Sequence, residues 1–579
     1  MFLPPSEPLT RSLMLSHLRR PRFPHTRAAA VRGPTPTTSC ARIFNTDENF
    51  ITRDRFCKIV CAPTSTSCSP YPAVNYTSPT CRTLRHWSSS ISSTSSTSSS
   101  SSSSSSADVS KPLFEPSISA ANTVNPIRRL IERTQVKPLD PSLEVIPLSI
   151  GDPTHFGNFR PPDGLTEKIT ELAQSQKYNG YQHSTGMESV RQAIADRFSS
   201  KTAPITADDV ILTSGCSHAL DLAIQVLCNP GDVLLVPQPA FPLYETLAKS
   251  RGVEIAHYRL DPERNWEVDL THLDQVLSSC QEKLRIAAAE RKTEQNGVTN
   301  KVGAVLLNSP SNPCGNVFGK RHLKELTALI YEKHDVPIIA DEIYANMAFD
   351  PAQNAMLHEV AEQRVPFLSV GGIAKQYMVP GWRMGWLTVH DDVKAHHRFE
   401  KIHSGLQDLS TLILGPSTLQ QMAIPFLLQE TSDEYYEKHV LEQLKENAET
   451  VQKILGSGSC DSRRQDADKS SPTSIASTKK KKYHLRVIEP QGAMYVLVQI
   501  LDPEHSANST QGHRVVDDVE FCRALLQEQS VFALPYAAAQ MNPPRPQHDH
   551  SLCQSAKRNN LCGTQQVLRF RFAFICMVC

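Results

Sequence analysis

A glycine-rich run around one lysine is the first candidate for chemistry in this chain. Lys375 follows Gly371, Gly372 and Ala374, so its amine has room beside it for a bulky electrophile. Such an amine can form an imine with a carbonyl carbon, for example that of pyridoxal phosphate. Arg383 comes eight residues later, and its planar guanidinium could hold a substrate carboxylate by two parallel hydrogen bonds. Taken alone, both side chains could equally lie on the surface of a turn.

A second candidate group follows residues 337–340, a short apolar run that is predicted to be a strand. Asp341 comes next, and an aspartate beside a pyridine nitrogen keeps that nitrogen protonated, which makes the ring an electron sink for a carbanion. Tyr344, three residues on, could donate a hydrogen bond to the phenolate oxygen of the same ring. The structural alternative for Asp341 is an N-cap at a strand-to-helix turn.

Two further strand ends carry groups that suit the same cofactor. The Asn-Pro pair at Asn312 predicts a rigid turn that can hold the side-chain amide over the ring oxygen, although such a pair is also common in ordinary loops. The stretch TSGCSHAL predicts a strand, a turn at Gly215 and a helix start, where Cys216 and Ser217 offer free amides to a phosphate. Phe241 could stack on the ring or belong to the core. No Walker or GxGxxG pattern accompanies them, so a nucleotide site is not expected.

The order of these groups and the residues around them resemble the class I aminotransferases of pyridoxal phosphate fold type I. The blocks that carry the resemblance are SNPCG at 311–315, ADEIY at 340–344 and GGIAKQYMVPGWRMGW at 371–386. The resemblance runs from about residue 126 to the C-terminus. It implies an α/β fold with a large, mostly parallel sheet between helices, and a smaller α+β domain.

The resemblance also implies a role for each candidate residue. Lys375 is expected to form the imine with pyridoxal phosphate, Asp341 to pair with the pyridine nitrogen, and Tyr344 and Asn312 to bind the ring oxygen. Arg383 changes its role, because in the family the arginine eight residues after the lysine helps to seat the phosphate.

Substrate binding is then expected from other parts of the chain. The resemblance assigns the substrate carboxylate to Arg569 in the stretch VLRFRFAF, with Arg571 as the alternative. Gly151 is expected to lie close to the substrate, and Tyr181 to reach the phosphate of a neighbouring subunit. A site that is completed across a subunit boundary implies a two-fold homodimer.

The implied reaction is transfer of an amino group from an aromatic amino acid, with tyrosine as the expected donor, to 2-oxoglutarate. Two alternatives on the same scaffold stay open, another class I aminotransferase and a carbon-sulfur lyase, because only the substrate pocket would differ. An inactive scaffold or a cofactor-binding regulator is the alternative from another class. The intact lysine, aspartate and tyrosine favour the enzyme.

Composition divides the chain into regions. Residues 1–110 are rich in arginine and serine and poor in acids, with a serine tract near 88–106 that predicts a disordered linker. The basic start is typical of a transit peptide, or else of a disordered tail, so the expected location is cytoplasmic or mitochondrial. A large domain is predicted at 166–405, with the smaller domain formed by 111–165 and 406–579.

Alternating strands and helices predict the sheet of the large domain. The predicted strands are 210–212, 233–236, 304–307, 337–340, 367–370 and 384–389, with helices through Leu220 and Leu227 and through Tyr244 and Leu247. Three polar stretches are predicted to be loop insertions, at 281–301, 456–482 and 541–566. Because the chain stops at Cys579, directly after the strand that would carry Arg569, a C-terminus truncated relative to the family is expected.

Composition also excludes several classes of function. The 60 basic and 59 acidic side chains give a formal charge of +1, which argues against nucleic acid as the main partner. No apolar run approaches the roughly 18 residues that a membrane span needs. The 15 cysteines, an odd number at irregular spacing, suit a reducing compartment and predict no metal site.

Overall fold

The computed structural model describes residues 114–577, except 126–127, 130, 133–135, 150, 202, 291–298, 362–364, 392–396, 432, 457–483, 502–517 and 537–571. The strands are β1 Ile146–Pro147, β2 Val210–Thr213, β3 Val233–Gln238, β4 Glu254–Asp261, β5 Glu267–Val268, β6 Val302–Asn308, β7 Ile338–Asp341, β8 Phe367–Gly372, β9 Gly385–His390, β10 His484–Val487, β11 Tyr495–Leu501, β12 Val531–Phe532, β13 Leu534–Pro535 and β14 Phe572–Met577. All six predicted strands are confirmed to within two residues at each end.

The α-helices are α1 Ile118–Asn122, α2 Leu165–Gln174, α3 Glu188–Phe198, α4 Cys216–Leu227, α5 Leu243–Ser250, α6 Leu270–Glu290, α7 Lys320–Thr327, α8 Ile373–Gln376, α9 Glu400–Ser410, α10 Thr418–Gln421, α11 Ala423–Pro425, α12 Asp433–Tyr436, α13 Glu442–Gly456 and α14 Asp518–Gln529. Wider helical turns follow α7, α11 and α12 at Ala328–Lys333, Phe426–Glu430 and Glu437–Leu441. The two helices predicted from the sequence correspond to α4 and α5.

An eight-stranded sheet is the largest element, with the strand order β2-β9-β8-β7-β6-β3-β4-β5. The four pairings from β8 through β7, β6 and β3 to β4 are parallel, and those of β2 with β9, β9 with β8 and β4 with β5 are antiparallel. Strand β6 is buried at every residue, which is typical of a parallel strand with helices on both faces. The mostly parallel sheet predicted from the sequence is confirmed.

Two apolar cores cover the two faces of this sheet. Along β6, Val305 and Leu307 pack into the core that includes α6 and α7, whereas Ala304 and Leu306 pack into the core that includes α4, α5 and α9. This alternation follows from the two-residue period of a strand. Burial on both faces holds the ends of the central strands in fixed positions.

A second, antiparallel sheet has the order β10-β11-β14-β13, and Val496, Val498 and Ile500 of β11 pack against α13 and α14. Strand β1 pairs in parallel with β12 through Ile146 and Val531, so a segment before the large sheet joins one near the C-terminus. An α+β region beside the large sheet is therefore present. The domain boundaries at 165–166 and 405–406 stay a prediction.

One predicted loop insertion is wrong in its first half. Helix α6 continues through Glu290, so residues 281–290 are helical and not a polar loop. The local reason is the stretch KLRIAAAE, whose alanines, leucine, lysine and arginine all favour a helix. Residues 291–298, almost all of the insertion at 456–482, the whole of that at 541–566 and the N-terminal 110 residues lie outside the described residues. In the described part of the chain, no helix has the length and apolar character that crossing a membrane requires.

Candidate active site

The candidate site lies where the central parallel strands end. Asn308 at the end of β6 pairs with Asp341 at the end of β7, which in turn pairs with Val370 of β8. Strand β8 ends two residues later at Gly372, and the short helix α8 then carries Lys375. Since the register sets these ends side by side, residues from three separate strands meet at one edge of the sheet.

Asp341 is buried, with 2% of its surface exposed, and its carboxylate accepts hydrogen bonds from three groups. Tyr244 Oη donates to Oδ2 at 2.6 Å, while Ile343 N lies 3.2 Å and Cys216 Sγ 3.7 Å from Oδ1. Burial raises the pKa of Asp341, and these hydrogen bonds oppose that rise. None of the three donors carries a positive charge. A buried carboxylate without a cation among its donors fits the protonated nitrogen of a pyridine ring.

Asn308 organises the turn that carries Asn312. Its side-chain Nδ2 donates to the backbone oxygen of Asp341 at 3.0 Å, and its Oδ1 accepts from the backbone N of Asn312 at 2.8 Å. The backbone of Asn312 is thereby held near the end of β7, and its side chain is half-buried. The bend that follows an Asn at the end of a buried strand is a signal that could have identified Asn308 as a supporting residue.

Lys375 lies beside a segment more than 200 residues away in sequence. Its Nζ donates to the backbone oxygen of Gly151 at 2.7 Å, and the side chain is half-buried. Two residues predicted separately, one for the imine and one for the substrate side, are therefore in direct contact. An amine that is held by one neutral acceptor remains free to react with a carbonyl carbon.

Tyr344 shares a hydrogen bond with Tyr495, a residue that no sequence motif indicated. Tyr344 Oη lies 2.8 Å from Tyr495 Oη, and the two rings meet edge to face with their centroids 5.8 Å apart. Tyr495 begins β11 of the smaller sheet, and its Oη would lie 3.6 Å from a Cβ added at Gly151. Nothing in its local sequence distinguishes Tyr495 from a core aromatic residue.

The predicted phosphate turn has the expected geometry. Strand β2 ends at Thr213, Gly215 has a φ of 75°, and the twelve-residue helix α4 begins at Cys216. Arg383 is exposed beside this turn: its Nη2 lies 3.4 Å from the backbone oxygen of Ser214, and a Cβ added at Gly215 would lie only 2.4 Å from it. A helix start with free amides, a guanidinium next to it and no room for a side chain at Gly215 fit a phosphate dianion.

The remaining predicted residues differ in burial, and two of them lie outside the described residues. The half-buried Phe241 ring meets the Tyr244 ring edge to face with centroids 5.8 Å apart, so it lies next to the Asp341 site. Ser217 is exposed at the start of α4, and Tyr181 is 88% exposed. Arg569 and Arg571 lie outside the described residues, and the described part of the last strand begins at Phe572, opposite Gln499.

The residues present fit pyridoxal phosphate as a set. They supply a carboxylate for a ring nitrogen, a phenol and an amide for a ring oxygen, an amine for an aldehyde, and a helix start with an arginine for a phosphate. Among the residues that the structure describes, no cluster of histidine, cysteine, aspartate or glutamate could hold a metal ion.

Comparison with known proteins decides the family. The sequence profile of the family described as aminotransferase class I and II matches residues 144–546. The chain belongs to this family. It is a pyridoxal-phosphate-dependent aminotransferase of fold type I, as the motifs at Lys375, Asp341 and Asn312 predict.

Several relatives of this aminotransferase carry a more specific name. A tyrosine aminotransferase of Homo sapiens is 40% identical over 422 residues, which cover 72% of this chain and 80% of that protein. The tyrosine aminotransferase of Mus musculus is 39% identical over 422 residues, with the same coverage. A crystal structure of tyrosine aminotransferase from Leishmania infantum has a TM-score of 0.58 and 29% identity, and the match covers 75% of this chain and 92% of that one.

Proposed function

We propose that this aminotransferase transfers the amino group of L-tyrosine to 2-oxoglutarate, giving 4-hydroxyphenylpyruvate and L-glutamate. The contact of Lys375 Nζ with the oxygen of Gly151, beside the Tyr344 and Tyr495 hydroxyls, is the observation that carries the reaction type. The likeness to tyrosine aminotransferases over 80% of their own length supports the choice of amino donor.

Five groups of this chain would hold the cofactor. Asp341 would bind and balance the charge of the ring nitrogen, while Tyr344 and Asn312 would bind the ring oxygen. The start of α4 and the Arg383 guanidinium would hold the phosphate. When bound, pyridoxal phosphate supplies an electron sink that stabilises negative charge at the substrate α-carbon.

Lys375 has two tasks in this proposal. Its Nζ would hold the cofactor aldehyde until the substrate amine takes its place. The freed amine would then remove the proton from the substrate α-carbon and carry it to the cofactor. Since the amino group stays on the enzyme between the two half-reactions, ping-pong kinetics are expected. The substrate carboxylate is assigned to Arg569, with Arg571 as the alternative, and both assignments stay a prediction.

A homodimer is the second part of the proposal. Tyr181 is 88% exposed, and Leu412, Ile413 and Leu414 are exposed by 71%, 49% and 58%. The segments that carry them touch, because Thr418 Oγ1 donates to the backbone oxygen of Gly180 at 3.0 Å. Large apolar side chains that are exposed together favour burial against another copy of the chain.

The dimer is testable by its mass in solution. Replacing Leu412 and Leu414 together by serine should shift the particle toward the monomer mass in light scattering, and should lower activity if Tyr181 completes the partner's site. A variant that keeps the dimer mass would count against this surface. The matched control is Ile286→Ser, because Ile286 is an exposed apolar residue, 43% exposed, on α6.

The proposed reaction is tested by incubating purified enzyme with tyrosine and 2-oxoglutarate, and separately with cystathionine. Hydroxyphenylpyruvate and glutamate from the first mixture, abolished by Lys375→Ala, are the expected products. Pyruvate and ammonia from cystathionine, with no hydroxyphenylpyruvate from tyrosine, would establish a carbon-sulfur lyase instead. An absorbance band of the bound cofactor without exchange of the substrate α-proton would indicate an inactive scaffold.

A further inference from the structure

The hydroxyl pair of Tyr344 and Tyr495 leads to a further residue of the site. We propose that Tyr495 is a positioning residue that acts on the cofactor's ring oxygen through the hydroxyl of Tyr344. The inference rests on the proposed role of Tyr344 as a donor to that oxygen. Both side chains are buried, with 3% of Tyr344 and 7% of Tyr495 exposed, so water competes little for their hydroxyl groups.

Counting protons gives the direction of the hydrogen bond in the loaded enzyme. Each phenol has one proton to donate and can accept with its lone pairs, and the two oxygens are 2.8 Å apart. If Tyr344 donates its proton to the ring oxygen, it has none left for Tyr495. Tyr495 must then be the donor to Tyr344, so the chain of donation runs from Tyr495 through Tyr344 to the ring oxygen.

The backbone holds the two phenols together, although Tyr344 follows β7 of the large sheet and Tyr495 begins β11 of the smaller sheet. Phe349 N donates to the oxygen of Gln491 at 2.8 Å, and Ala493 N donates to the oxygen of Met347 at 3.0 Å. These bonds tie the loop after Tyr344 to the segment just before Tyr495. The hydroxyl contact is thus built into the junction of the two segments and does not depend on side-chain packing alone.

Tyr495 also lies next to the residue that holds the reactive amine. Its Oη would lie 3.6 Å from a Cβ at Gly151, and Gly151 O accepts from Lys375 Nζ at 2.7 Å. One phenol from β11 therefore borders both the ring-oxygen donor and the lysine segment.

Donation by Tyr495 makes Tyr344 a stronger donor, because hydrogen bonds in a chain polarise one another. A stronger donor stabilises negative charge on the ring oxygen. In the loaded enzyme, one proton would be shared between that oxygen and the nitrogen held by Lys375. Tyr495 therefore lowers the pH at which this proton is lost.

The test is an absorbance titration of the holoenzyme with pH. Tyr495→Phe should raise the midpoint by roughly 0.3 pH unit, since a second hydrogen bond strengthens the first by about 10–30%. Tyr344→Phe should raise it by about one unit or more, because the direct donor is lost. Site-specific 3-fluorotyrosine at position 495 should lower the midpoint, because a more acidic phenol donates more strongly.

Coupling between the two variants separates positioning from packing. In the Tyr344→Phe background, Tyr495→Phe should cause no further shift, whereas a purely structural effect would add to the first. Tyr436→Phe is the matched control, because Tyr436 is a buried tyrosine whose Oη has no hydrogen-bond partner among the described residues, and it should leave the midpoint unchanged.

Two results would overturn the inference: an unshifted midpoint in Tyr495→Phe, or equal shifts of Tyr495→Phe in the two backgrounds. Failure of the proposed function is recognised separately. The unmodified enzyme would then lack a pH-dependent band that Lys375→Ala removes, or would fail to convert tyrosine.

Discussion

The two ends of the candidate cofactor site differ in burial and in charge. At one end Asp341 is 2% exposed and is bound by a phenol, a thiol and a backbone amide, all uncharged. At the other end Arg383 is exposed beside the start of α4. A buried charge interacts strongly with its partner because little solvent screens it. An exposed charge is screened by water and salt, so its main effect is on how tightly the phosphate is held. We therefore expect the buried end to control the rate and the exposed end to control cofactor binding.

Replacing the buried carboxylate should have the largest effect. Asp341→Asn keeps the shape but not the charge, so the ring nitrogen loses the anion that keeps it protonated. We expect kcat to fall about 10²–10³-fold, the range for loss of one preorganised electrostatic group. Single-turnover kinetics at saturating cofactor would measure it. An unchanged kcat with weaker cofactor binding would reverse the assignment of the two ends.

Replacing the exposed guanidinium should act on affinity instead. Arg383→Ala removes a charged hydrogen-bond donor, and we expect cofactor affinity to fall roughly 10–100-fold, since such bonds contribute about 1.5–3 kcal/mol. Added cofactor should restore kcat. Arg383→Lys should recover only part of the affinity, because an ammonium lacks the two-pronged geometry of a guanidinium. Equilibrium titration of apoenzyme with cofactor measures both variants.

Removing the Tyr244 hydroxyl that donates to Asp341 should have a smaller effect, an upward shift of the pKa of Asp341. The Tyr244 hydrogen bond lowers the pKa of Asp341 against the rise caused by burial, so Tyr244→Phe should raise that pKa further. The acid limb of the pH profile of kcat/KM should move to higher pH, so that kcat/KM on this limb falls about 10-fold. Tyr258→Phe is the control, because the buried Tyr258 hydroxyl donates to the backbone oxygen of Leu306. An equal shift in both variants would contradict the prediction.

The smallest effect on activity is expected at Glu342, next to Asp341, where the change concerns folding stability. Burial raises the pKa of Glu342 to about 7 from a usual 4.5, with the charges of Asp341 and Glu359 adding to the rise. The folded protein then holds a proton that the unfolded chain has lost, so stability falls as pH rises from about 4.5 to 7. Glu342→Gln should remove that fall and stabilise the protein at pH 8 by up to about 3 kcal/mol, since each pKa unit corresponds to about 1.4 kcal/mol, with little change at pH 4. Urea unfolding at the two pH values measures it, and equal shifts would contradict it.

Much of this site could be predicted because its candidate residues lie in short segments with recognisable local patterns. Asp341, Tyr344, Asn312 and Lys375 each follow a recognisable apolar strand, and parallel strands bring their carboxyl ends to one edge. The supporting residues could not be found in the same way. Tyr244 occupies an amphipathic helix and Tyr495 an apolar strand, where either would pass for a core residue.

The error at residues 281–290 has a related cause. The segment is polar enough to suggest an insertion, but its charged residues are also good helix formers, and helix α6 continues to Glu290. Composition indicates exposure, and exposure is compatible with either a loop or the outer turns of a helix.

By itself the sequence predicted where six strands lie along the chain and which lysine, aspartate and glycine turn are the candidates for chemistry, because each pattern depends on residues within about ten positions of one another. Only the tertiary structure decided which distant groups touch them: Gly151 on Lys375, Tyr244 on Asp341 and Tyr495 on Tyr344. Those pairs are separated by 224, 97 and 151 positions, and no local preference encodes contact over such distances. The register of the buried strands and the packing of two sheets bring them together.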